Sequence, residues 1–145
     1  MTKNTILIVD DHEFNRELLC DMFPEREVIE AANGAAAIEQ YEQHKDEICA
    51  VLTDVMMPET DGFALLEYFS EHKYMDDVPV FVITADSSSK AIMQAYRQGA
   101  EDIIIKPLNP NFVKKHVDHI IELFELRRRF NGDDEDELVV PEFSE

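Results

Sequence analysis

Residues 6–24 read Ile6-Leu7-Ile8-Val9-Asp10-Asp11-His12-Glu13-Phe14-Asn15-Arg16-Glu17-Leu18-Leu19-Cys20-Asp21-Met22-Phe23-Pro24. The first four residues are apolar and mostly β-branched, the composition of a short buried strand. Two aspartates end that strand. Phe14, Leu18, Leu19 and Met22 then fall on one face of a helix, which Pro24 brings to a stop.

The same alternation repeats outward from this unit. Residues 28–31, 49–52, 80–83 and 103–105 are further short, β-branched-rich runs. Between them, residues 35–44, 63–72 and 90–98 carry apolar side chains at helical spacing, and Gly99 is placed as a C-terminal cap. A last amphipathic helix bears Phe112, Val113, Val117, Ile120, Ile121 and Phe124 and runs on through Arg127-Arg128-Arg129. The pattern is (βα)5. Strands alternating with helices require right-handed crossovers and a mostly parallel sheet covered on both faces, so the expected fold is a doubly wound α/β sandwich.

At 145 residues and 16.8 kDa the chain is long enough for one such domain. Its net charge is −19, with a pI near 4.4. Residues 132–145 hold seven acidic side chains and no basic one, which leaves 25 acidic against 13 basic, a net of −12, for residues 1–131. The expected division is a domain over 1–131 and an acidic tail, or the start of a linker, over 132–145. Such a surface repels phosphate backbones and anionic lipid, which argues against direct nucleic-acid or membrane binding. No apolar run approaches the roughly 20 residues of a membrane span, and Met1-Thr2-Lys3-Asn4 leads into a strand with no signal-peptide pattern. Cys20 and Cys49 lack CxxC spacing and are expected to pack as reduced small hydrophobes in a cytoplasmic protein.

In doubly wound sheets, ligands bind beyond the carboxyl ends of the strands. Four of the five strands end there in polar residues: Asp10 and Asp11 after the first, Asp54 after the third, Thr84 after the fourth and Lys106 after the fifth. Three carboxylates and one ammonium leave a charge of −2 in a small space, and crowded carboxylates either hold a proton or bind a cation. Oxygen ligands select a hard ion, and Mg²⁺ fits. A metal, a lysine and a hydroxyl are also what stabilises a transferring phosphoryl group, with one aspartate as the nucleophile.

Ile8-Val9-Asp10-Asp11, Asp54-Val55-Met56-Met57-Pro58 with Asp61-Gly62, Thr84-Ala85 and Lys106-Pro107 together resemble the receiver domain of two-component response regulators. Asn15-Arg16 and Ala32-Asn33-Gly34 fit the same family, and the resemblance covers about residues 5–125. It implies a sheet order of 2-1-3-4-5. It implies Asp54 as phosphoacceptor, with Mg²⁺ held by Asp11, Asp54 and the backbone carbonyl of Met56, and by Asp10 through water. Thr84 and Lys106 would each contact a phosphoryl oxygen, and the Lys106-Pro107 peptide would be cis. The implied donor is a sensor histidine kinase or a histidine phosphotransfer protein. The implied output is a conformational change passed to a partner or output domain, with a homodimer as a possible form. Receivers commonly carry an aromatic residue three places before the last lysine; here that place is Ile103. A β-branched side chain cannot act as a turning ring, so the signal is expected to travel through the backbone of residues 85–89.

Other readings of the same residues stand beside this one. An aspartyl-nucleophile phosphohydrolase usually needs an acid two residues after the nucleophile, where this chain has Met56. A nucleotide or flavin binder would need a glycine-rich loop, yet Gly34, Gly62, Gly99 and Gly132 form none. The long last helix resembles those that lead into cyclic-dinucleotide enzyme domains, which would make the chain an N-terminal regulatory piece of a longer protein. His12 is expected to be an exposed residue at a helix start. His116 and His119, one turn apart but lacking a third ligand, are expected at the surface, and Arg127–129 as a helix C-terminal cluster.

Overall fold

The computed structural model describes residues 3–55 and 62–130. Five strands alternate with five helices: β1 Thr5–Val9, α1 Glu13–Asp21, β2 Glu27–Ala31, α2 Gly34–His44, β3 Ile48–Thr53, α3 Gly62–Glu71, β4 Val80–Thr84, α4 Ser89–Arg97, β5 Asp102–Ile105 and α5 Pro110–Phe130. One 3-10 turn, Tyr74–Asp76, joins α3 to β4 and has no counterpart in the sequence reading. All strand pairs are parallel and the order is β2-β1-β3-β4-β5, as the resemblance implies. The Lys106-Pro107 peptide is cis.

The strands are apolar on both faces because both faces are covered. Leu7, Val9, Val51, Val80 and Val82 point to one side, where they meet Tyr41 of α2, Leu65, Leu66 and Phe69 of α3 and Ala95 of α4. Ile6, Ile8, Leu52, Phe81, Ile83 and Ile104 point to the other, against Leu19 and Phe23 and against Val113, Val117 and Ile121 of α5. Period-2 alternation along each strand therefore sorts the core into two layers.

Helix ends follow local chemistry. Asn33 caps α2 by accepting the Ala36 N–H at 2.8 Å, and Ser88 caps α4 by accepting the Ala91 N–H at 3.3 Å. Gly99 closes α4 with φ 104°, a left-handed conformation in which a Cβ would also crowd the Met75 side chain.

Three expectations need correction. The face assigned to α1 is not the buried one: Leu19 is buried, but Phe14 is 70% and Leu18 47% exposed, because the helix rolls to pack Leu19 and the following Phe23. His116 is not a surface residue. It is partly buried and hydrogen-bonded to the Asp102 carboxylate across the β5–α5 interface, a partner that sequence spacing could not reveal. Phe112, expected on the apolar face of α5, is 55% exposed, because that face turns Val113, Val117, Ile121 and Phe124 to the sheet; Leu123, Leu126 and Phe130 lie exposed as well. His119 is exposed, and Arg127, Arg128 and Arg129 do form the last turn of α5. No helix among the described residues is long and apolar enough to cross a membrane.

Candidate functional site

Asp10, Asp54, Thr84 and Lys106 each stand at or just beyond the carboxyl end of a strand, and the sheet ladder fixes their backbones. The Asp10 N–H donates to the Ala31 carbonyl at 3.1 Å, the Asp54 N–H to the Val9 carbonyl at 3.0 Å, and the Lys106 N–H to the Thr84 carbonyl at 2.9 Å. The strand order brings β1, β3, β4 and β5 side by side. Residues up to 96 positions apart in sequence thus share one edge.

Asp10, Asp54 and Thr84 are buried, while Asp11 is partly exposed. Lys106 Nζ donates to Asp54 Oδ2 at 3.2 Å and lies 3.8 Å from Asp10 Oδ2, so one ammonium faces two carboxylates. Asp10 Oδ1 accepts the His12 N–H at 2.9 Å, which orients the carboxylate while His12 itself stays exposed as the N-cap residue of α1. Burial holds the Asp10 carboxyl above the usual carboxylate range; the His12 N–H opposes this, and Asp54 reinforces it. Thr84 Oγ1 accepts the Asp86 N–H at 3.1 Å, tying the strand end to the loop that follows.

Two carboxylate oxygens here, Asp10 Oδ2 and Asp11 Oδ1, are buried without a hydrogen-bond partner. Buried anionic oxygens left in this way suit a hard cation with its own water shell. Among the described residues no three acidic, histidine or cysteine side chains are already gathered as a metal cage. Mg²⁺ does not require one, since it commonly keeps several waters and takes one or two carboxylates. Met56, the expected carbonyl ligand, lies outside the described residues, as do Asp61 and the proposed tail over 132–145.

Two features of the site were not legible in sequence. Arg16 donates to the Asp10 carbonyl at 2.8 Å and to Glu30 Oε1 at 3.0 Å, bolting α1 to the ends of β1 and β2. Only its place after the acidic pair hinted at a role. An apolar groove of about 250 Å³ is lined by Leu18, Leu19, Met22, Leu108 and Pro110 together with Asp10 and Lys106.

Comparison with known proteins bears on the family and the fold. The family model of the response regulator receiver domain matches residues 6–118. The two-component response regulator-like protein PRR73 of Oryza sativa subsp. indica is 30% identical over 117 residues, 79% of this chain and 15% of that protein. The transcriptional regulatory protein SrrA of Staphylococcus aureus (strain NCTC 8325 / PS 47) is 36% identical over 117 residues, 79% of this chain and 46% of that one. The chain thus spans less than half the length of these curated relatives. Among solved structures, the CheX-CheY-BeF3-Mg+2 complex from Borrelia burgdorferi aligns with a TM-score of 0.74 at 29% identity, over 82% of this chain and 90% of that chain. A probable two-component system response regulator/GGDEF domain protein aligns at 0.78 and 27%, over 84% of this chain and 50% of that chain. A CheY-like receiver domain protein from Methanospirillum hungatei JF-1 aligns at 0.77 and 23%, over 87% of this chain and 99% of that chain, which speaks to the fold alone. With the family model spanning most of the chain and the order β2-β1-β3-β4-β5 in place, this protein belongs to the receiver-domain family of two-component response regulators and serves as a signalling module.

Proposed function

We propose that Asp54 is the phosphoacceptor of this receiver, taking its phosphoryl group from a phosphohistidine on a sensor histidine kinase or histidine phosphotransfer protein. The observation that carries the reading is the Lys106 ammonium 3.2 Å from the Asp54 carboxylate, with Asp10 and Thr84 buried on the same sheet edge. An Asp54 oxygen attacks phosphorus; the new P–O bond forms as the P–N bond to the donor imidazole breaks, and the imidazole leaves with its electron pair. Lys106 neutralises charge on a phosphoryl oxygen, and the Thr84 hydroxyl donates to another. When bound, Mg²⁺ held by Asp11, Asp54 and the Met56 carbonyl, and by Asp10 through water, supplies charge neutralisation at the phosphoryl oxygens. The apolar groove, lined by the exposed Leu18 and also by Asp10 and Lys106 of the site, supports docking of an apolar donor surface.

No external substrate is turned over in this reading. A phosphohydrolase would need an acid two residues after Asp54, and the residue there is Met56. Residues 1–131 act as the receiver and 132–145 as an acidic tail or linker, with the output delivered to a partner or a further domain. Similarity to a response regulator/GGDEF protein over half of that chain supports the second destination. Two unpaired cysteines suit a reducing compartment such as the cytoplasm.

Intact mass after treatment with acetyl phosphate and Mg²⁺ tests the assignment. One added phosphoryl group is expected on the native chain and none on Asp54→Asn. A phosphorylated Asp54→Asn protein sinks the reading.

A further inference from the structure

The peptide that joins Asp10 to Asp11 lies between two elements and belongs to neither. β1 ends at Val9 and α1 begins at Glu13. The sheet ladder holds the Asp10 N–H, which donates to the Ala31 carbonyl. The Asp10 carbonyl is held by a side chain instead, accepting from Arg16 Nη1 at 2.8 Å. Nε of the same guanidinium donates to Glu30 Oε1 of β2 at 3.0 Å. The Arg16 side chain is 16% exposed although it carries a full charge. Its fork is planar, so two bonds at different nitrogens make it a rigid strut, which a flexible ammonium could not be.

What the strut holds is the link between two carboxylates. A peptide is planar, so fixing its oxygen relative to the Asp10 Cα fixes ψ of Asp10 and, with it, the position of the Asp11 Cα. Asp10 Oδ2 and Asp11 Oδ1 are the two oxygens buried without a hydrogen-bond partner. We infer, on the reading that Asp10 and Asp11 hold Mg²⁺, that Arg16 is a positioning residue of that metal site. It acts through the backbone, setting where Asp11 stands relative to Asp10. Groups that orient metal ligands in this way govern affinity without touching the ion.

Two plainer roles for Arg16 make different predictions. Were it a nearby cation and nothing more, its removal would make the pocket more negative and tighten Mg²⁺ binding. Were it a tether of α1 to the sheet and nothing more, its removal would lower stability and leave the affinity unchanged. Positioning gives a third pattern. Mg²⁺ binding weakens when the guanidinium is lost, in spite of the more negative pocket, and a lysine that keeps the charge does not restore it.

Calorimetric titration of the full 145-residue chain with Mg²⁺, beside Arg16→Met and Arg16→Lys, separates these cases. Both variants should raise the Kd, Arg16→Met by about tenfold. Asp54 labelling by acetyl phosphate, followed by intact mass, should need more Mg²⁺ in both variants and reach the native extent once Mg²⁺ saturates. Thermal melts in chelator show whether each variant is folded at the titration temperature. If Arg16→Met is not, Arg16→Lys decides alone, since it keeps the charge and the aliphatic stem. Unchanged or tighter binding in Arg16→Met, or native affinity in Arg16→Lys, overturns the inference and leaves the Mg²⁺ site standing. A labelling deficit that saturating Mg²⁺ does not remove overturns it as well. A native chain that binds no Mg²⁺ overturns the reading of the carboxylates, and the inference falls with it.

Discussion

The Lys106 ammonium reaches over the end of β4 to meet the Asp54 carboxylate at 3.2 Å, a contact between residues 52 positions apart. It is also the cation nearest Asp10 Oδ2, at 3.8 Å, so the lysine currently offsets the charge that a metal would otherwise neutralise. Lys106→Ala makes the pocket more negative. The substitution should leave Mg²⁺ affinity unchanged or increase it, while weakening the conformational response to phosphorylation. Calorimetric titration with Mg²⁺ checks the first half; clearly weaker binding in the variant would count against it.

Asp10 is fully buried, one of its oxygens has no hydrogen-bond partner, and burial raises its pKa. A carboxyl with a raised folded-state pKa penalises the fold above that pKa, and the penalty disappears as pH falls toward the ordinary value. Asp10→Asn should therefore stabilise the metal-free protein at pH 7 by about 1 kcal/mol, with the gain shrinking toward acid pH. Its Oδ1 can still accept the His12 N–H. Thermal melts in chelator across pH test this, and the same variant should bind Mg²⁺ more weakly. A lower melting temperature at pH 7 would refute the electrostatic account.

A relay of short contacts leads from Thr84 into α4. Thr84 Oγ1 accepts the Asp86 N–H, Asp86 Oδ1 accepts the Ser88 N–H at 2.9 Å, and Ser88 caps the helix. If Thr84 moves its hydroxyl toward a phosphoryl oxygen, the Asp86 N–H that it holds must either follow it or let go, and in both cases the loop shifts. Beryllofluoride, a phosphoryl mimic, should therefore perturb the amide resonances of residues 85–89 strongly and leave Ile103 merely repacked among Val55, Phe63 and Val82. Thr84→Ala should lose most of that perturbation and about 1 kcal/mol of stability, and Thr84→Ser should keep both. A still loop beside a large Ile103 movement would reverse this picture.

Both thiols are protected. Burial pushes Cys49 up to about 11, and burial with the neighbouring Glu30 does the same for Cys20. The thiolate is the reactive form, so iodoacetamide at pH 8 should label the native protein far more slowly than the unfolded chain. Mass spectrometry over time measures both rates, and fast addition of one label to the native protein would show that at least one thiol is not protected as described.

The order of elements was written in the sequence, because strand and helix periods are local and each short β-branched run sits next to its own amphipathic partner. The identities of Asp10, Asp11, Asp54, Thr84 and Lys106 were legible for the same reason: each ends a strand, and all parallel strands end at one edge. Tertiary structure alone decided which way the helices roll. Spacing puts Phe14 and Leu18 on the same side as Leu19, yet packing chose Leu19 with Phe23 and left the other two in water. The Asp102–His116 pair and the Arg16 bridge between Asp10 and Glu30 were also beyond reach. Such contacts join side chains from elements whose separation is set only once the sheet has assembled. Helical periodicity fixes which residues share a face, but the burial available to that face is a property of the whole fold.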